Sequence, residues 1–171
     1  MKPLAHVLFA LALAAVQASL MRWVGGGAFP LALLAACVVY LGLHGGNVDG
    51  SVAAAGVGYV MDLMAGSPKG LMTFLAVLLF LAVRAASAAV DVRGRAAFAL
   101  LSGVGAVFLS LGAFLLTRYT VAAEAAPGAV LLPRMIGEGV LTGALSPLVA
   151  MGLRRVDGLF HREEPGLLRW P

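Results

Sequence analysis

The chain has 171 residues, 61% of them hydrophobic and only 12% charged, with a net charge of +4 and a mean hydropathy of +0.99. A water-soluble domain of this length needs far more charge on its surface, so this composition excludes one. The apolar residues fall in long blocks rather than in the stripes of soluble amphipathic helices. The pattern predicts an all-α, polytopic membrane protein forming a single integral membrane domain over residues 1–171.

A spanning helix takes about 17–25 residues, so this length holds roughly five to seven spans and little else. Six are predicted. The first covers residues 4–21 and opens on Met1-Lys2-Pro3 and an apolar run. That opening resembles a secretory signal, but only further membrane segments follow it, so a retained first helix is expected. A loop with Arg22, Trp23 and Gly25-Gly26-Gly27 leads to the second span, 28–43, with Pro30 in its first turn, where a missing N–H does no harm. His44-Gly45-Gly46-Asn47 ends it. The third span, 51–65, follows Asp49 as a candidate N-cap. The fourth covers 68–90 and the fifth 96–117. A polar loop through Pro127 and Gly128 precedes the sixth, 129–153, and residues 154–171 read as a short charged tail. The second and third spans are short, which implies a locally thinned membrane or helices that extend into their loops.

Lys and Arg set the orientation. The side holding the termini collects Lys2, Arg84, Arg93, Arg95, Arg154, Arg155, Arg162 and Arg169. The other side holds Arg22, Lys69, Arg118 and Arg134. The excess places both termini in the cytoplasm, with Trp23 and Tyr119 at the outer interface and Tyr40 at the inner one. The same scatter of basic residues argues against a nucleic-acid partner despite a pI near 9.8. The tail from Arg154 to Arg162 reads as a positive-inside anchor, with contact to anionic lipid or a cytoplasmic partner as the alternative.

Small residues four apart, Ala54/Gly58 and Gly139/Gly143, predict close helix packing for the third and sixth spans, against each other or against a partner. Asp62 stands near the end of the third span. An acid at membrane depth costs about 2.5–3.5 kcal/mol on insertion scales, so it needs a contact. Gly66, Ser67 and Pro68 read as a helix stop, a cap and a helix start joined into one tight hairpin, with Gly70 allowing close backbone approach. Arg134 and Glu138 are four apart and share a helix face. A buried Asp62–Arg134–Glu138 network joining the third and sixth spans is expected, the alternative being that Arg134 reaches up to the headgroups. Asp62, Arg134, Glu138, Gly58, Gly139 and Gly143 are thus the candidate ligand- or partner-binding residues.

Other polar residues carry less. His6 and Gln17 read as interhelical hydrogen bonders, Arg84 as snorkelling to the surface, and Thr73, Ser102 and Ser110 as bonding to their own helices. Cys37 is the one cysteine, which excludes an intrachain disulfide, and it reads as a small buried apolar residue. The His-Glu-x-x-His zinc motif, the Gly-x-Ser-x-Gly elbow and a phosphate loop are all missing. His6, His44 and His161 lie in separate segments. No catalytic residue, metal site or cofactor is expected.

Gly56, Gly58, Asp62-Leu63, Gly66-Ser67-Pro68 and Gly70, with Pro147 followed by Leu153-Arg154-Arg155, resemble the pattern of the rod shape-determining protein MreD family. The resemblance implies a six-span bacterial inner-membrane protein without catalysis. It implies association with MreC and, through it, with MreB filaments, RodA and its transpeptidase partner. It also implies a fold similar to the substrate-binding subunits of energy-coupling-factor transporters. The leading expectation is a scaffold of the cell-elongation machinery. The alternative is a transporter subunit that binds a small molecule or lipid in an outward-facing pocket, and an intramembrane enzyme is a third reading.

Overall fold

The computed structural model describes residues 2–23, 32–65, 69–89, 94–120 and 131–160. They form six helices: α1 (Lys2–Trp23), α2 (Leu33–His44), α3 (Asn47–Ala65), α4 (Leu71–Ala89), α5 (Arg95–Thr120) and α6 (Leu131–Phe160). Four of them, α1, α4, α5 and α6, are long and apolar enough to cross a membrane. The protein is therefore a helical membrane protein by length and composition of its elements.

One helix organises the others. α2 touches each of the remaining five, and those five form a ring in the order α1, α3, α4, α5, α6, with α6 returning to α1. The sequence of α2, from Leu33 to Leu43, is apolar on every side, and a helix of that kind belongs inside a protein. Every residue from 33 to 42 is buried, Cys37 among them. This explains why α2 has only 12 residues. Protein surrounds it, so its length does not have to match a bilayer; membrane thinning is not needed. The described part begins at residue 32, so positions 28–31 of the expected second span lie outside the described residues.

Element boundaries moved for local reasons. α3 starts at Asn47, so Asp49 lies in its first turn, where an acid complements the helix dipole, rather than at its N-cap. α6 runs on through Arg154, Arg155 and Asp157 to Phe160, so residues 154–160 are helix and not tail. Pro147 sits inside α6 and has no N–H to donate to the Gly143 carbonyl. The Ser146 hydroxyl donates to that same carbonyl at 2.8 Å and takes its place.

The small residues do permit close packing, but each set packs within its own hairpin. α3 and α6 do not touch, because α1 stands between them on the ring. A Cβ added at Gly58 would lie 2.6 Å from the Thr73 Cα of α4. A Cβ at Gly139 would lie 3.0 Å from the Gly103 carbonyl oxygen of α5, and one at Gly143 would lie 2.8 Å from the Ala99 carbonyl oxygen. These are backbone-to-backbone contacts, the kind that hold helices together where lipid removes the hydrophobic drive.

The helix order puts Arg84, Arg95, Arg154 and Arg155 at one end of the bundle and Arg22, Lys69, Arg118 and Arg134 at the other. Arg93, Arg162, Arg169 and His161 lie outside the described residues, as do the side chains of Lys2, Trp23 and Tyr119.

Gly143→Val should force α5 and α6 apart and lower stability by about 1–3 kcal/mol. Gly137→Ala on the same helix meets nothing within 4 Å and should leave stability unchanged or slightly higher. Thermal unfolding of both variants in detergent checks the contrast.

Candidate functional site

Asp62 is 6% exposed and its carboxylate is fully engaged. Its Oδ1 accepts the Met72 N–H at 2.8 Å. Its Oδ2 accepts the Gly70 N–H at 3.1 Å, the Thr73 N–H at 3.0 Å and the Thr73 hydroxyl at 2.6 Å. The first N–H groups of a helix have no partner within it. Asp62 supplies those partners from the preceding helix, acting as an N-cap for α4 across the hairpin. The negative charge also meets the positive end of the α4 dipole. Gly70 has φ +96°, a left-handed conformation that glycine adopts freely, and nothing lies within 4 Å of where its Cβ would be. Its role is therefore the turn and not close approach. Gly66, Ser67 and Pro68 lie outside the described residues.

The expected network does not form. Every hydrogen bond of Asp62 goes to the start of α4, and α3 makes no contact with α6. Arg134 is exposed, in keeping with the headgroup alternative. Glu138 is half-buried and accepts the Ser110 hydroxyl of α5 at 2.7 Å. It faces a cavity of about 270 Å³ whose polar lining is Glu138, Ser110 and Gln17, and whose walls include Met61, Met64 and Met72. Neither Asp62 nor Arg134 lines it.

Several minor expectations change with these contacts. Ser110 and Thr73 bond to other helices, not to their own. Ser102 is fully buried, and its hydroxyl has no partner. Gln17 does bridge helices: its Oε1 accepts the Leu33 N–H at 3.1 Å. Thr142 of α6 accepts the neighbouring Ala32 N–H at 3.2 Å, so α2 is capped from two directions. Arg84 donates to the Gly45 carbonyl at 2.6 Å and closes the other end of α2.

A second polar cluster lies at the opposite end of the bundle and was missed in the sequence. Asp157 of α6 takes the Tyr40 hydroxyl at 2.6 Å and lies 2.9 Å from His6 Nε2. That last contact requires a proton on the ring nitrogen. Tyr40 is buried among helices at the arginine-rich end, and its ring stacks on His44 with centroids 4.5 Å apart. His6, His44, Asp49 and Asp157 all line one cavity of about 480 Å³. His6 and His44 are thus neighbours, although 38 positions separate them in sequence (44 less 6). The only available signal was Asp157 itself, an acid four residues short of His161 in a stretch read as tail.

Compared with known proteins, the chain matches no family model, no curated protein and no solved structure.

Asp62→Ala should leave the Gly70 N–H and two N–H groups of α4 without acceptors and lower stability by about 2 kcal/mol or more, with Asp62→Asn intermediate. Hydrogen exchange at residues 70–73 locates the loss. Tyr40→Phe should remove one interhelical bond and lower stability by about 1 kcal/mol, read as a fall in the unfolding midpoint.

Proposed function

We infer that the chain is a non-catalytic scaffold of the bacterial inner membrane, working in the cell-elongation machinery as MreD-like proteins do. In this reading the six helices form one membrane domain with α2 enclosed by the other five, both termini are cytoplasmic, and the end with Arg84, Arg95, Arg154 and Arg155 faces the cytoplasm. The protein binds MreC and acts through it on MreB filaments, RodA and the transpeptidase partner. It thereby helps regulate peptidoglycan synthesis and cell shape.

The observation that carries the reading is the outer face of α3. Of the stretch that resembles the family, residues 56–65 belong to α3, and Asp62 caps α4 through Gly70 and Met72. Val48, Val52, Tyr59 and Leu63 remain as one exposed apolar stripe, since their spacing of four, seven and four keeps them on one side of a helix. α3 has 19 residues but is not among the four helices apolar enough to cross a membrane by themselves. An apolar stripe on a helix rich in alanine and glycine lets a partner helix approach closely.

The transporter-subunit reading, with its fold similarity to energy-coupling-factor substrate-binding subunits, draws support from the cavity beside Glu138. Its volume of about 270 Å³ falls just below the range of about 300–1,000 Å³ typical of small-molecule sites, and two of the three charged residues expected in its lining are elsewhere.

Co-expression with MreC and capture of one by the other tests the scaffold. Wild-type protein should co-purify with MreC, and a Val52→Trp/Tyr59→Ala variant should lose it while keeping its elution volume and unfolding midpoint. Folded wild-type protein that captures no MreC would sink the reading.

A further inference from the structure

The arginine-rich end of the bundle holds another cavity, of about 650 Å³, between the end of α2, the start of α5 and the last turns of α6. That size falls within the range of small-molecule sites, roughly 300–1,000 Å³. Its charged lining is cationic: Arg95 from α5 and Arg154 from α6. Both side chains are exposed, and no acidic side chain among the described residues pairs with either. Neither described carboxylate at this end forms an ion pair with them: Asp157 contacts His6 with one oxygen and accepts from Tyr40 with the other, and Asp49 lines a different cavity. Arg84 is committed to the Gly45 carbonyl. Arg95 is also the first residue of α5, so the positive end of that helix dipole adds to the field.

Of the rest of the lining, Tyr40 and His44 are polar, and Leu43, Phe98, Pro147, Ala150 and Met151 form an apolar wall. Met151 is 55% exposed, and Leu148, one turn earlier on the same face of α6, is 61% exposed. The apolar wall therefore continues out of the cavity onto the surface that α6 turns to lipid. A small inorganic anion would leave that wall unused. A neutral hydrocarbon would leave two guanidinium groups without a counter-charge. Guanidinium forks match phosphate oxygens, and basic pockets between membrane helices take phosphate-bearing headgroups.

We propose that this cavity is a specific site for an anionic phospholipid, with its phosphate between Arg95 and Arg154 and an acyl chain along Pro147, Met151 and Leu148. The inference rests on the chain lying in a bilayer and not on the MreC reading.

The test compares delipidated protein in detergent with added phosphatidylglycerol, phosphatidylcholine or glycerol 3-phosphate, reading the unfolding midpoint and the lipid retained by native mass spectrometry. Phosphatidylglycerol should raise the midpoint and be retained; the other two should do neither. Arg95→Gln and Arg154→Gln should each weaken retention by about fivefold. Arg155→Gln removes the same charge from a residue outside the lining and should leave retention unchanged. Equal retention of phosphatidylcholine overturns the proposal, as does the same midpoint rise with glycerol 3-phosphate alone. Should Arg154→Gln fail to fold, Arg95→Gln and Arg155→Gln decide, and equal loss in both overturns the site.

Discussion

The backbone of a helix end is the problem this molecule has to solve. The first N–H groups and last carbonyls of a helix have no internal partner, and hydrocarbon offers no water to replace one. Here neighbouring helices supply the partners. Asp62 of α3 holds the start of α4. Gln17 of α1 and Thr142 of α6 hold the start of α2. Arg84 of α4 holds the Gly45 carbonyl after α2. Each of these bonds fixes one element against another, so satisfying the backbone and setting the tertiary arrangement are the same event.

The buried α2 raises that demand. A short helix enclosed by a ring has both ends at depths where unpaired groups are costly. Its ends therefore draw on three different ring helices, and its sides need small or well-fitted neighbours. The close glycine contacts of α5 with α6 and of α3 with α4 tighten the ring in pairs around it. Two cavities, of about 480 and 650 Å³, lie at the arginine-rich end, where α2 stops and the outer helices continue.

The existence of the helices was legible because long apolar blocks have few alternatives. The interior position of α2 is legible too, in a run that is apolar on every side; its short length by itself fits a thinned membrane, or a helix extending into its loops, equally well. The small-residue pairs signalled close packing correctly but not the partner, since spacing along one helix says nothing about which helix faces it. The sequence sets Asp62 against other charges, but three of its four donors are backbone N–H groups eight to eleven positions ahead, which carry no side-chain signature. The Tyr40–His6–Asp157 cluster was invisible because it joins three segments that meet only when the ring closes.

That closure has a consequence for how the protein is made. The ring shuts where α6, the last of the described helices, meets α1, the first of them. During synthesis α2 leaves the ribosome long before Thr142 exists to accept the Ala32 N–H, or Asp157 to accept the Tyr40 hydroxyl. The centre of the fold is thus laid down early and completed last, and the nascent chain carries an unfinished α2 through most of its own insertion. Assembly is set by the final helix, so a chain cut short before α6 loses more than one wall of the bundle: the helix at its middle never acquires its full set of partners.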